Sequence, residues 1–307
     1  MRRPTARDTG DFADGGFGNG LATAGLAIVN DGRQALAPSE RSDAETVHEL
    51  RKAFKRWRAF LRLLAKPLGE PAERMRIEAR DLMRTLASAR DAQAALDALT
   101  DLQEHSETNR PSLSPRSLQT IRSRLLPVRD TAERATVTPE LRARLLAYLD
   151  GAALALESWP LPAIPFAIVA DGLATTFSRA RKQIPDDWPA CGHEQLHTLR
   201  RRVVEHRHQM ELFVPLWPRL GQIWVEEAQR LRGRLGSCQD LQMLANFTAP
   251  HQPLAPWRGR LIAMIERRRL AHLTTAERLA GRLFAEKPKA FRRRLTALWR
   301  ARHGKTL

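Results

Sequence analysis

The chain has 307 residues, 43% of them hydrophobic, and its 51 Lys+Arg outnumber 34 Asp+Glu for a formal net charge of +17. That length buries a sizeable core in one or two domains, and the charge favours polyanionic partners: nucleic acid, an anionic membrane surface or a phosphate polymer. Two cysteines, Cys191 and Cys238, with no CxxC argue against a disulfide framework and for a reducing, cytoplasmic setting. No apolar run approaches the roughly 20 residues a transmembrane helix needs, so no membrane insertion is expected.

Residues 1–40 read as an N-terminal lead-in, partly disordered, because a Gly/Asp-rich stretch follows Arg2 and Arg3 where a signal peptide would have an apolar core. Beyond it helical periodicity is nearly continuous and strand alternation nearly absent, which predicts an all-α protein. Residues 44–66 give the clearest helix: Leu50, Phe54, Trp57, Leu61 and Leu64 form one apolar stripe. Ser42 or Asp43 serves as its N-cap, and Pro67 and Gly69 stop it. Helices follow near 71–87 and 89–104, then a loop from Asn109 to Pro115, then helices near 116–135 and 139–158 with Pro139 in a favourable first turn. A Pro-rich break at 159–165 precedes helices near 166–184, from 193, and near 219–234 and 237–247. A Pro-containing turn at 250–256 and two or three basic helices finish the chain.

A short basic helix occurs twice. Val47-His48-Glu49-Leu50-Arg51-Lys52 and Leu196-His197-Thr198-Leu199-Arg200-Arg201 lie 149 positions apart (197 − 48). The same offset takes Arg58 to Arg207, Leu63 to Leu212, Glu78 to Glu227, Leu82 to Leu231, Leu86 to Leu235, Ser88 to Ser237 and Asp91 to Asp240. A gap-free register of this kind predicts an internal duplication, with one repeat at about 41–158 and the other at about 166–307, forming two helical bundles about a pseudo-two-fold axis.

At about 100° per residue, His48, Arg51, Lys52, Lys55, Arg58 and Arg62 fall within an arc of roughly 120° opposite the apolar stripe. A solvated face is the ordinary reading of such a helix. Here, however, the stripe holds no acid, so neighbours at i,i+3 and i,i+4 repel by a few tenths of a kcal/mol per pair, and it recurs. An anion on the face explains both. In the second copy His197, Arg200, Arg201, Arg207 and His208 occupy the matching arc, but Val204 and Glu211 replace Lys55 and Arg62. The second face is therefore expected to be weaker, and Glu211 opposes an anion unless it pairs internally with an Arg. Protonation of His48 and His197 adds charge below neutrality, so binding should be tighter at pH 6 than at pH 8. Arg76, Arg80 and Arg84 at i, i+4 and i+8 extend the surface, as do Arg230, Arg232 and Arg234 in the other half. Asp91 and Asp240 suit helix capping or orientation of an Arg better than catalysis.

His193-Glu194-Gln195-Leu196-His197 matches the helical zinc signature HExxH, which needs a third ligand and a catalytic Glu. The extended form would place Gly near 200 and His near 203, where this chain has Arg200 and Val203, and the repeat explains His197 without zinc. No Walker A loop, nucleophile elbow or Gly-rich phosphate loop is present, so neither turnover nor a cofactor is called for.

The run from Val47 through Lys55-Arg56-Trp57-Arg58, Ala89-Arg90-Asp91, Leu196 through Arg200, Leu235 through Asp240 and Lys289-Ala290-Phe291-Arg292 resembles the CHAD family, the conserved-histidine α-helical domains, over roughly residues 40–300. The resemblance implies two four-helix bundles around a basic central groove that binds inorganic polyphosphate, and association with polyphosphate granules in bacteria. It carries His48, Arg51, Lys55, Arg58, His197, Arg200 and Arg207 over as groove residues. The chain departs from the family pattern at Val204 and Glu205, where Lys and Arg are usual, and lacks the Glu-x-Glu-x-Lys of the CYTH domain often fused to it. The expected function is non-enzymatic polyphosphate binding in the cytoplasm; the rivals are a nucleic-acid-binding helical protein, suggested by the charge and by Arg292-Arg293-Arg294, and a regulatory partner of a phosphate-metabolising enzyme.

Overall fold

A computed structural model describes residues 16–86, 90–105, 113–133 and 137–303. Residues 1–15 of the predicted lead-in, Ser88 and Ala89 of the repeat, and Asn109 to Ser112 of the predicted loop lie outside it. Twelve α-helices are present among the described residues, and no strand: α1 (Gly16–Leu36), α2 (Asp43–Leu63), α3 (Ala65–Leu68), α4 (Glu70–Arg84), α5 (Arg90–Glu104), α6 (Pro115–Glu133), α7 (Pro139–Ser158), α8 (Phe166–Arg181), α9 (His193–Glu211), α10 (Pro218–Asn246), α11 (Arg258–Leu283) and α12 (Pro288–Arg302). The all-α expectation holds. None of these helices is long and apolar enough to cross a membrane.

α2 starts as its sequence asks. The Ser42 side chain accepts from the Glu45 backbone N–H while the Glu45 carboxylate accepts from the Ser42 N–H, a reciprocal capping box. Its end differs from the expected 66. Pro67 does not cap α2 from outside; it sits inside the single turn of α3, and because it has no N–H to donate to Leu63 O, the helix breaks at Leu64 instead. Gly69, at φ 63°, then turns the chain into α4.

Two expectations are corrected. Residues 16–36 are not lead-in but a helix whose Phe17, Leu21, Ile28, Val29 and Leu36 are buried in the main core. Three of its glycines recur every seven residues and face α7 and the turn beyond it: a Cβ on Gly32, Gly25 or Gly18 would meet Leu149, Leu156 or the Leu161 carbonyl at 3.0, 2.7 and 2.1 Å. They are the contact stripe of a closely packed helix, not a sign of disorder. The helices expected at 219–234 and 237–247 are one 29-residue helix, α10, because Leu231, Leu235, Cys238, Leu241 and Leu244 carry the apolar stripe straight through Gly233 and Gly236.

Helix starts in the two halves correspond: α1 and α8 differ by 150 positions (16 and 166), α2 and α9 by 150 (43 and 193), α4 and α10 by 148 (70 and 218), and α7 and α12 by 149 (139 and 288). The packing corresponds as well. α1 packs on α2 and α7 as α8 packs on α9 and α12; α2 packs on α4 as α9 packs on α10; and α5 packs on α6 as α10 packs on α11. α2 crosses α9, and α5 crosses α10, between the halves. The buried apolar residues form two clusters. The smaller joins α5 and α6 to the C-terminal part of α10 and the N-terminal part of α11, so both halves of the chain build it.

Candidate functional site

The crossing of α2 and α9 is antiparallel: Gln209 Nε2 donates to Ala59 O at 2.9 Å, and Arg62 lies 3.0 Å from Glu205. The apolar stripe of α2, with Leu50, Phe54, Trp57 and Leu61 all buried, fixes the opposite, cationic face toward α9 and α10. Between them opens a cavity of about 690 Å³. His48, Arg51, Lys52, Lys55, Arg58 and Arg62 line it from α2, Arg76 from α4, Arg200, Arg201, Arg202, Arg207 and His208 from α9, and Arg232 from α10. Eleven Lys and Arg thus share the lining with four carboxylates, Asp43, Asp97, Glu205 and Asp240.

Neighbours position these cations. Arg51 donates to Leu86 O at 3.1 Å, and Arg76 is bound by Glu73, whose hydrogen bond raises the guanidinium above its ordinary pKa. Arg200 is 8% exposed and packs on Gly236, where a Cβ would stand 3.4 Å from its Nε. Arg58 is different. Burial, then the charges of Arg76, Arg201 and Arg62, push it below its ordinary pKa, and its buried Nε has no hydrogen-bond partner. A guanidinium held among like charges in a partly dry site favours a bound anion.

The acids of α9 are already engaged. Glu205 lies 3.3 Å from Arg202 as well as 3.0 Å from Arg62. Glu211 lies 3.1 Å from Arg207 and 4.0 Å from Arg56. Burial would raise the Glu211 carboxyl, but the hydrogen bond from His208 and the charges of Arg207 and Arg56 outweigh it and hold it below its ordinary value. Glu211 therefore meets the condition set by the sequence: it is paired internally.

Five residues expected at or around the site stand away from this lining: Arg80, Arg84, Arg230, Arg234 and His197, with Arg230 turned to Glu227 at 2.5 Å and Arg234 to the His272 ring at 3.4 Å. Arg80 and Arg84 both turn to Asp81, at 2.9 and 3.7 Å. His197 is half-buried, its ring 6.3 Å from that of His193. No group of three or more His, Cys, Asp or Glu able to hold a metal forms among the described residues, so that His pair has no third ligand. Asp91 lies exposed in the first turn of α5, whereas Asp240 faces the cavity. Arg202 joins the lining although the helical wheel sets it apart from Arg200 and Arg201, because α9 runs across the cavity and offers it both flanks.

A family model described as "CHAD domain" matches residues 29–249. The chain belongs to the CHAD domain family. A structural match is the crystal structure of the CHAD domain from the plant Ricinus communis, with a TM-score of 0.56 and 18% sequence identity over 86% of this chain and 90% of that one; at this identity the likeness bears on fold. A search of curated proteins gives no match. The CHAD match begins within α1, which agrees with the place of that helix in the core.

Proposed function

We propose that this CHAD domain binds inorganic polyphosphate, without turnover, in the cavity between α2 and α9. The observation that carries the reading is the convergence of eleven Lys and Arg from four helices on one cavity, with the buried Nε of Arg58 lacking a hydrogen-bond partner among the described residues. Arg51, Lys55, Arg58, Arg200, Arg201 and Arg207 would clamp phosphate oxygens, and exposed His48 would add a ring N–H donor to the lining. Each contact releases condensed counterions, so affinity should fall steeply with salt. Attachment to polyphosphate granules, in a cytoplasmic setting, follows from such a ligand. The reading includes an internal duplication whose halves meet at the α2–α9 crossing; the matching helix starts and packing support it.

Nucleic acid is the rival polyanion, but among the described residues the cavity lining contains no Phe, Trp or Tyr on which a base could stack. Competition between long-chain polyphosphate and DNA at physiological salt tests the choice. Polyphosphate should displace labelled DNA, and the reading fails if DNA wins. Reversing charge with Arg51→Glu and Lys55→Glu should cut polyphosphate affinity by at least about tenfold while helicity by circular dichroism stays unchanged.

A further inference from the structure

Among the described residues, Glu205 is the one acid of α9 that lines the cavity. The Glu205 side chain is 14% exposed and sits between two guanidiniums, 3.0 Å from Arg62 and 3.3 Å from Arg202. Its charge also reaches Arg58 and Arg76. Arg201, beside Arg202 in sequence, has no hydrogen bond or ion pair among the described residues, and neither has Arg58. Two cavity cations are thus held by an internal carboxylate while two close neighbours are not. Glu205 already accepts a hydrogen bond from Arg202 and stands in ion contact with Arg62, where a phosphate oxygen would otherwise stand, in a site where displacing a buried carboxylate leaves it uncompensated.

We propose that Glu205 is a resident counter-anion that withholds Arg62 and Arg202 from the ligand and confines polyphosphate to the side of the cavity built by Arg58 and Arg201. This rests on the polyphosphate reading and goes beyond it. It makes Glu205 a determinant of affinity, and it divides the cations of the lining into those open to the ligand and those already neutralised.

Titration of labelled polyphosphate at several salt concentrations into the wild type and three variants tests it. Arg201→Gln should weaken binding about tenfold, the loss of a charge-assisted contact. Arg202→Gln, next to it, should stay within about twofold of wild type because Glu205 already occupies that guanidinium. Glu205→Gln should tighten binding at least about threefold and steepen the salt slope by about 1 to 2, as two further cations meet phosphate. Thermal unfolding of each variant reports folding. The proposal is overturned if Arg202→Gln loses as much affinity as Arg201→Gln, or if folded Glu205→Gln binds no more tightly than wild type. If Glu205→Gln does not fold, the comparison of Arg201→Gln with Arg202→Gln decides. A wild type that ignores polyphosphate would remove the underlying reading itself, a result separate from wild-type binding with the wrong order of variants.

Discussion

Trp57 and His206 stand 149 positions apart, at matching places on α2 and α9, and only Trp57 has a polar partner. Its indole N–H donates to the Tyr148 hydroxyl at 2.8 Å, which donates in turn to Met75 O at 2.8 Å. The position matching Tyr148 in the second half is Ala297, which has no hydroxyl. His206 is 0% exposed, neither ring nitrogen has a hydrogen-bond partner among the described residues, and the rings of Phe177, Phe284 and Phe291 lie 5.5, 5.6 and 5.8 Å away. An unsatisfied buried polar group costs about 1–3 kcal/mol, so His206→Phe should stabilise the fold by roughly that amount in urea unfolding. The pH dependence has a definite sign. Burial pushes His206 down to about 3. The unfolded chain, with an ordinary His near 6.5, therefore binds more protons between those values. This contribution to stability is fully present above about pH 6.5 and is lost as pH falls toward 3. His206→Phe should flatten the decline of Tm between pH 7 and pH 4; a decline as steep as that of wild type would show that His206 does not contribute to it.

At the scale of elements, the apolar stripe of α2 was legible because spacing alone reports which face is buried, and its cationic complement duly lines the cavity. What spacing does not report is the neighbour. Arg76, Arg80 and Arg84 drift by about 40° per step along α4, so only the first reaches the cavity before Asp81 gathers the other two. α1 was missed for a related reason: the Gly/Asp-rich stretch near the start of the chain reads compositionally as a loose segment, and the heptad spacing of Gly18, Gly25 and Gly32 gains meaning only when α7 lies against them. The break after α2 has a tertiary consequence as well. The Leu63 carbonyl, which receives no N–H from Pro67, faces α8 at Gly172, where a Cβ would stand 2.8 Å from that oxygen. Gly172→Ala should therefore force the two helices apart and destabilise the protein by about 1–3 kcal/mol, although alanine is the better helix former. A neutral or raised Tm for this variant would mean that the α2–α8 contact yields more easily than backbone against Cβ should.

At the scale of the whole molecule, the acids that made the second half look like a weakened binding face have another role. With an offset of 149, Arg56 corresponds to Glu205 and Arg62 to Glu211. The contacts across the crossing are Arg62 to Glu205 at 3.0 Å and Arg56 to Glu211 at 4.0 Å, so each is the pseudo-symmetric image of the other with the charges exchanged. Two identical halves would set Arg against Arg at both places. Glu at 205 and 211, where the matching positions 56 and 62 hold Arg, makes both contacts attractive, and at 205 it also sets a carboxylate in the cavity lining. Arg62→Glu alone sets a carboxylate against Glu205, and Glu205→Arg alone adds a cation beside Arg58, Arg76 and Arg201; both should lower stability. The exchange Arg62→Glu with Glu205→Arg restores the pair with its polarity reversed and should recover most of the loss. In a double-mutant cycle by urea unfolding without polyphosphate, the coupling should be about 1–3 kcal/mol, as expected for partly buried residues in contact. Losses that add to within about 0.5 kcal/mol would show that the two halves do not depend on this pair, because residues without energetic contact behave additively.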